Sequence, residues 1–345
     1  MKKQKLKPKL KIVETPDYTP ANSKASPEEI KEAVEQVSAM KKEIARVFIG
    51  HEEVIESLMR ALLCDGNVLL EGIPGIAKTL AIKALAQVSG CSSKRIQFTV
   101  DLLPTDITGL TTYTPGKGFE IVRGPIFANF IIADEINRSP PKTQSALIEA
   151  MEEKQVTIGK ETFKLPSPFF VMANQNPLEN EGVYTLPEAQ VDRFIFKIIF
   201  SYPKEENEER IMEQNVAFKK FEEYNLKKLS SPEELKKMQR LVHKIYLDKK
   251  IKKYILKIIK KTRDKDFKYG EFIELGGSPR ASINIFIASK AEALLKGRAF
   301  VIPKDVETVA PDVLRHRLIL SYKAMAENVT SDKIIKEILS IVKPL

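Results

Sequence analysis

The stretch EGIPGIAKT at residues 71–79 has the residue types and spacing of a loop that binds phosphate. It follows the apolar segment NVLL and matches G-x-x-x-x-G-K-[ST], except that Ala77 stands where a second glycine is usual. In such a loop, backbone N–H groups surround a β-phosphate, a lysine reaches the β- and γ-phosphates, and a hydroxyl binds Mg²⁺. An ordinary turn between strand and helix is the alternative. We predict a nucleotide loop formed by Gly72, Ile73, Pro74, Gly75, Ile76, Ala77, Lys78 and Thr79, with Thr79 as a metal ligand.

A pair of adjacent carboxylates ends a second apolar segment. The sequence FIIADE places Asp134 and Glu135 directly after four apolar residues, at the carboxyl end of a predicted strand. Ligands collect at this edge of open α/β sheets, so we expect the pair beside the phosphate loop. Asp134 would orient Mg²⁺, and Glu135 would polarise the attacking water. Because no N-K-x-D or T-K-x-D sequence follows the fourth strand, ATP is favoured over GTP.

The elements that must position these motifs alternate between strand and helix. Short apolar segments separated by helices indicate a parallel sheet that is covered on both faces. Five such segments occur, namely NVLL, RIQFT, FIIADE, FFVMAN and FIFKIIF. We therefore predict an α/β domain with a five-stranded parallel sheet. From about Ser231 onward the apolar periodicity is helical throughout, which predicts a smaller all-helical domain.

Two segments interrupt the alternation with the pattern of β-hairpins. LTTYTPGKGFEIV turns at residues 115–118, and KQVTIGKETFKL turns at Gly159-Lys160. Either hairpin could be an inserted functional element. The expected organisation is a basic, disordered tail at 1–26, the ATPase core with both hairpins at 27–204, a linker at 205–230 and the helical domain at 231–345.

Composition and charge limit the classes of function. Lys+Arg exceeds Asp+Glu by 56 − 46 = 10, and residues 1–26 contribute 7 − 2 = 5 of that excess. Such a tail could contact nucleic acid or anionic lipid, or serve only as a solubilising leader. No apolar stretch has the length of a membrane helix, and no secretory signal is recognisable. The two cysteines, Cys64 and Cys91, favour a reducing, cytoplasmic compartment.

Longer blocks of the sequence resemble one family. EGIPGIAKT, FTVDLLPTDITG, GPIFANFIIADEINRSPPKTQSALIEAMEE, NQNP and LPEAQVDRF together are similar to the MoxR-type AAA+ ATPases, over about residues 27–327. The resemblance implies a three-layer αβα ATPase domain, a helical lid, ATP and Mg²⁺ as cofactors, and assembly into a ring, usually a hexamer.

The resemblance also assigns roles at matched positions. Asn176 would be the sensor-1 residue that holds the attacking water, although Asn174 is two residues away and stays a second candidate. Arg193 would be an arginine finger that acts on ATP in the neighbouring subunit, and we expect it at the active edge of the sheet, just before the fifth strand. Arg280 would be the sensor-2 arginine of the lid. His51 would lie near the adenine, with a core or helix-capping role as the alternative.

The same resemblance suggests the partners. MoxR-type proteins are thought to remodel or mature other proteins, often ones with a von Willebrand A domain. This chain has no D-x-S-x-S sequence, so a partner with such a domain would act in trans. The alternatives are a DNA-associated motor of the helicase-related branch, which the lack of an aromatic stacking platform disfavours, and a nucleotide-dependent scaffold. The sequence names neither the client protein nor the ring size.

Overall fold

A computed structural model describes residues 25–72, 78–176, 182–203, 205–215 and 221–344. The helices are α1 (Pro27–Ala45), α2 (Glu52–Leu63), α3 (Lys78–Val88), α4 (Pro104–Thr108), α5 (Pro141–Glu153), α6 (Glu188–Val191), α7 (Glu205–Asn215), α8 (Pro232–Lys244), α9 (Lys249–Thr262), α10 (Pro279–Leu295), α11 (Pro303–Leu314), α12 (Tyr322–Ala326) and α13 (Ser331–Ile341). The strands are β1 (Val68–Gly72), β2 (Ser93–Gln97), β3 (Gly109–Thr114), β4 (Gly118–Arg123), β5 (Phe130–Asp134), β6 (Gln155–Ile158), β7 (Glu161–Lys164), β8 (Phe170–Gln175), β9 (Phe196–Phe200), β10 (Ile273–Leu275) and β11 (Ile319–Leu320).

Five strands form the central sheet, in the order β2-β5-β8-β1-β9, and every pair in it is parallel. The predicted α/β class and the five-stranded parallel sheet are confirmed. The second strand begins two residues earlier than the segment RIQFT, and most of its side chains are exposed because it lies at the edge of the sheet.

Alternating side chains along the central strands face two different layers of helices. On β5, Phe130 and Ile132 join one buried cluster with α1, α2 and α3, whereas Ile131 and Ala133 join another with α5. This two-residue alternation follows from the pleat of a β-strand. The sheet is therefore the middle of three layers, and its strand ends are left free to carry polar groups.

Both predicted hairpins form. Strands β3 and β4 pair antiparallel around the turn at residues 115–117, and β6 and β7 pair around Gly159-Lys160. On the first hairpin Tyr113 and Phe119 are exposed, and their ring centroids lie 5.3 Å apart. On the second, Val156 and Leu165 are buried, as expected for packing against the sheet.

The C-terminal region from residue 231 onward, called the lid below, is helical except for one short ribbon. Strands β10 and β11 pair antiparallel, which the helical periodicity did not predict. Directly after β10, a Cβ on Gly276 would lie 2.4 Å from the Thr262 carbonyl oxygen, so this position requires glycine. The chain therefore passes close to the end of α9 before α10 begins.

The lid is packed tightly against the core. One continuous buried cluster contains side chains of α1, α2 and α3 together with those of α8, α9, α10, α11 and α13. The domain boundaries given above therefore remain an expectation, and α7 occupies the first part of the expected linker. The expectation for the basic tail lies outside the described residues, apart from its last two. In the described part of the chain, no helix is long and apolar enough to cross a bilayer.

Candidate active site

Polar groups from three neighbouring strands meet at the carboxyl edge of the sheet. Gly72 ends β1, Asp134 ends β5, and Asn174 is the penultimate residue of β8. These strands are adjacent in the order β5-β8-β1, so the edge brings together motifs that are about 100 residues apart in sequence. Gly72, the first residue of the predicted phosphate loop, and the carboxylate pair therefore lie at one edge of the sheet.

The phosphate loop is described only at its two ends. Ile73, Pro74, Gly75, Ile76 and Ala77 lie outside the described residues. Lys78 begins α3, and its Nζ donates to the carbonyl oxygen of Gly72 at 2.6 Å, so the two ends of the loop lie close together. Gly72 is required by packing as well, because a Cβ there would lie 2.8 Å from the carbonyl oxygen of Phe200 on β9.

Asp134 is held from two sides. It is 3% exposed, and its carboxylate accepts hydrogen bonds from Nε of Arg95 on β2 and from the side-chain amide of Asn174 on β8. A buried carboxylate is costly without such partners. The contacts fix the orientation of Asp134 at the strand end, where the sequence predicts a metal ligand.

Glu135 has a left-handed backbone conformation, with φ 56° and ψ 49°. This conformation is uncommon for a residue with a Cβ and is found more often at functional sites. The backbone N–H of Glu135 donates to Oδ1 of Asn174 at 2.8 Å. Its carboxylate accepts from Gln97 at 2.7 Å and pairs with Arg138 at 3.2 Å. The turn ends the strand and directs this second carboxylate away from the path of β5.

The two candidate asparagines have different surroundings. Asn174 touches both members of the carboxylate pair, whereas Asn176 is a buried residue directly after β8. The assignment of Asn176 as the sensor stays a prediction. The position of Asn174 gives it a defined role in the geometry, which is to tie Asp134 to the turn at Glu135.

His51 lies in an aromatic cluster beside the end of β1. Its ring stacks on Phe48 with a centroid distance of 4.8 Å and an interplanar angle of 15°, and Phe200 is 6.2 Å away. It makes no side-chain capping hydrogen bond to α2, so the capping alternative fails. Burial lowers the pKa of His51 below its usual value. The adenine-pocket role stays a prediction.

Arg193 lies at the opposite edge from the position expected above. It precedes β9, in which Phe196 pairs with Val68 at the start of β1, whereas Phe200 pairs with Gly72 at its end. A parallel strand begins at the amino edge, and the four residue steps from Val68 to Gly72 span about 13 Å. The expectation that Arg193 belongs to the carboxyl edge is therefore wrong.

The two predicted arginines share one carboxylate at this amino edge. Glu152, near the end of α5, accepts from Nη2 of Arg280 at 2.6 Å and pairs with Nη2 of Arg193 at 3.0 Å. Arg193 is not paired with Asp192, which instead accepts from Arg317 at 2.7 Å. The structure thus brings the proposed finger and the proposed sensor-2 arginine together, away from the phosphate loop of their own chain.

Sequence reasoning missed several of these contacts. Arg95 and Gln97 alternate along β2, and both reach the carboxylate pair on β5. Glu152 comes from α5 and Arg317 from the turn after α11, and the approach of both depends on tertiary packing. The alternation on β2 was the available signal, but its use requires the strand order.

The donors at the carboxyl edge fit Mg²⁺. Asp134 supplies carboxylate oxygens at the end of β5, and Thr79 supplies a hydroxyl in the first turn of α3. Among the described residues no group of three or more His, Cys, Asp or Glu side chains could hold a metal by itself. Mg²⁺ commonly binds through one or two protein oxygens together with water and substrate phosphates, so this small donor set is suitable.

Comparison with known proteins agrees with this arrangement. Residues 67–196 match the family model described as "ATPase family associated with various cellular activities (AAA)", and residues 270–338 match an AAA lid domain. The Chaperone MoxR1 of Mycobacterium tuberculosis is 44% identical over 307 residues, which cover 87% of this chain and 80% of the relative. The uncharacterized protein YeaC of Bacillus subtilis is 44% identical over 301 residues, covering 87% of this chain and 92% of that protein.

A solved structure shows the same fold. The crystal structure of a proposed ATPase from Cytophaga hutchinsonii superposes with a TM-score of 0.85 at 41% identity, and the match covers 92% of this chain and 97% of that one. Sequence, fold and the placement of Gly72 at the same sheet edge as the carboxylate pair agree with one another. The chain belongs to the MoxR family of AAA+ ATPases.

Proposed function

We propose that this protein hydrolyses ATP with Mg²⁺ at sites formed between neighbouring subunits of a ring, and that it uses the cycle to remodel a partner protein. The observation that carries the proposal is the placement of two incomplete groups at opposite edges of one sheet. The carboxyl edge has the phosphate loop ends, Asp134 and Glu135, whereas the amino edge has Arg193 and Arg280.

This separation favours a head-to-tail contact between subunits. Arg193 cannot reach the phosphate loop of its own chain across the sheet, but the amino edge of one subunit can face the carboxyl edge of the next. Such a heterologous contact generates a ring when the rotation closes, and a hexamer is the ring size expected for the family. We propose that Arg280 acts in the same direction as Arg193, because both bind Glu152.

Each group at the carboxyl edge has a proposed task. Lys78 and the N-terminal turn of α3 would bind phosphate oxygens, and His51 would contact the adenine. Mg²⁺, held by Thr79 and Asp134, would neutralise phosphate charge. Glu135 would accept the proton of the attacking water, and Asn176 would orient that water, while Asn174 fixes the Glu135 turn.

The arginines would supply positive charge at the transferred phosphoryl group. An arginine finger in trans contributes about 10³–10⁵ to the rate of related enzymes. The Arg193 side chain is 31% exposed while its Nη2 pairs with Glu152 at 3.0 Å, so part of the guanidinium is accessible to a further acceptor. A phosphate oxygen of the neighbouring subunit would be such an acceptor.

The remodelling role rests on family membership. One relative is named a chaperone, and others are named MoxR. By the same resemblance we propose a protein with a von Willebrand A domain as the partner in trans. The exposed Tyr113 and Phe119 on the first hairpin offer apolar contact area outside the nucleotide site.

Mixing two inactive variants tests the shared site. Lys78→Ala removes phosphate binding but leaves the arginines intact. Arg193→Ala removes the proposed finger but leaves the phosphate loop intact. Each variant alone should be inactive. In randomly mixed rings, about a quarter of the interfaces combine an intact phosphate loop with an intact arginine, so about a quarter of the wild-type ATPase activity should return.

An affinity tag on one variant establishes that the subunits have mixed. Recovery of ATPase activity in the co-purified assemblies supports the proposal. Co-purified assemblies without activity, or variants that never co-purify at any concentration, would overturn the shared-site arrangement.

A further inference from the structure

The three residues that follow α11 hold the chain on both sides of Arg193. This Arg-His-Arg segment (Arg315, His316 and Arg317) belongs to the lid, and it contacts backbone carbonyls between Asp192 and Lys197, just before and within β9. These contacts join the lid to the proposed arginine finger without involving the phosphate loop.

Arg317 makes most of the connections. Its Nη2 donates to the carbonyl oxygens of Asp192 at 2.8 Å and Phe194 at 2.6 Å, and its Nη1 donates to those of Ile195 at 3.2 Å and Val313 at 2.5 Å. Its Nε pairs with the Asp192 carboxylate at 2.7 Å. Asp192 and Phe194 are the two neighbours of Arg193, so Arg317 fixes the peptide group directly before the finger and the one that follows Phe194.

The environment of Arg317 shows why this residue type is needed. Its side chain is 1% exposed, and burial lowers its pKa to about 10, at which it still carries a positive charge at neutral pH. Asp192 provides the counter-charge, and the planar guanidinium offers five donors in a rigid arrangement. A lysine has three donors on a flexible stem and cannot serve the same carbonyls together.

Three further contacts complete the connection between the lid and residues 192–197. His316 Nε2 lies 3.0 Å from the Phe194 carbonyl oxygen, and Arg315 donates to that of Lys197 at 2.5 Å. Ser278, at the start of α10, donates to the Asp192 carboxylate at 3.1 Å. Asp192 therefore binds both the Arg-His-Arg segment and the helix that carries Arg280.

We propose that Arg317 is a positioning residue that holds Arg193 in the orientation needed to reach ATP in the neighbouring subunit. The inference rests on the proposed function, and it assigns to the lid a direct influence on the next subunit's site. A displacement of about 1 Å at a catalytic group can cost about 10² in rate. We expect Arg317→Lys to lower kcat about 10²-fold.

The nucleotide affinity of the variant's own site distinguishes positioning from a general defect. Binding of a fluorescent ATP analogue should be unchanged in Arg317→Lys, because the phosphate loop lies at the other edge of the sheet. Arg298→Lys is the matched control, since Arg298 pairs with Asp305 within the lid and does not touch residues 192–197. The control should retain wild-type kcat.

Mixing experiments give the direction of the effect. A mixture of Arg317→Lys with Lys78→Ala should recover about a quarter of the wild-type activity, because the second variant has an intact finger. A mixture of Arg317→Lys with Arg193→Ala should recover none, because both lack a positioned finger. Recovery in that second mixture, a wild-type kcat, or a loss confined to nucleotide affinity would overturn the inference.

The mixture of Lys78→Ala with Arg193→Ala is the reference. If that reference shows no activity, the shared site itself is wrong; if it recovers while Arg317→Lys behaves differently from Arg193→Ala, only the positioning role is wrong. Should Arg317→Lys fail to fold, Asp192→Asn carries the same test. It removes the counter-charge that orients the Arg317 guanidinium, so the bonds from Arg317 to the carbonyls beside Arg193 should weaken and kcat should fall as in Arg317→Lys.

Discussion

Replacement of Asn174 by alanine should weaken both the fold and the turnover of ATP. The side chain makes two hydrogen bonds, one to the buried Asp134 carboxylate and one from the backbone N–H of Glu135 at 2.8 Å. A hydrogen bond to a charged group contributes about 1.5–3 kcal/mol and a neutral one about 0.5–1.5 kcal/mol. Because Arg95 still binds Asp134, we expect a loss of about 2–4 kcal/mol in unfolding free energy.

The effect on activity comes through the backbone at Glu135. Its left-handed conformation, with φ 56°, is held in part by the bond to Asn174. When that bond is lost, the residue can relax towards an ordinary conformation and move its carboxylate. A misplacement of about 1 Å costs about 10² in rate, so kcat should fall by that factor.

A second buried asparagine provides the control. Asn129, at the amino end of β5, accepts from Ser92 at 2.9 Å and donates to the Pro168 carbonyl oxygen at 2.9 Å, away from the carboxylate pair. Asn129→Ala should lower the unfolding free energy by about 1–3 kcal/mol but leave kcat of the folded protein unchanged. Thermal unfolding followed by circular dichroism and steady-state phosphate release measure the two effects.

A wild-type kcat in Asn174→Ala would show that the Glu135 turn does not depend on this side chain. An equal loss of kcat in Asn129→Ala would show that instability alone lowers turnover.

Further predictions concern single groups. Glu135→Gln should still bind ATP while phosphate release falls about 10²–10⁴-fold, and unchanged release would exclude Glu135 as the base. Because burial raises the pKa of Cys91 from 9.0 to about 12, its thiolate is scarce at neutral pH, and its alkylation by iodoacetamide should be at least about tenfold slower than that of an exposed thiol, as mass spectrometry can show. Burial also lowers the pKa of His51, His243 and His316 below 6.5, so the unfolded chain binds these protons more readily. The free energy of unfolding should therefore fall as the pH drops below about 6.5, by up to about 1.4 kcal/mol per pH unit for each histidine. Denaturant titrations at several pH values should show that His316→Gln loses less unfolding free energy per pH unit than the wild type.

The groups at the carboxyl edge were predictable because their motifs have recognisable residue types and spacing in the sequence. A phosphate loop after one apolar segment and a carboxylate pair after another both lie at the ends of strands, and parallel strands end at a common edge. Asn174 could be named only as a second candidate, because its contact with Asp134 depends on β5 and β8 being neighbours. Arg95 was not found for the same reason on the other side of β5.

The amino edge shows a different limit. The wrong expectation for the position of Arg193 could have been avoided from the sequence, since a residue before a parallel strand must lie at the strand's amino end. Glu152 and Arg317 were not predictable in this way, because α5 and the turn after α11, which carry them, are placed by side-chain packing. The ribbon of β10 and β11 was missed because its strands are too short to show a two-residue alternation.

The shared buried cluster of α1, α2 and the lid has a consequence for exchange of parts between relatives. Arg60 on α2, for example, is 5% exposed and pairs with Glu292 on α10 at 2.6 Å, inside this common interior. A chimera that takes its C-terminal helices from another member of the family would join two surfaces that were selected separately. Recombination should therefore yield folded proteins only when α1 and α2 are inherited together with the C-terminal helices that cover them.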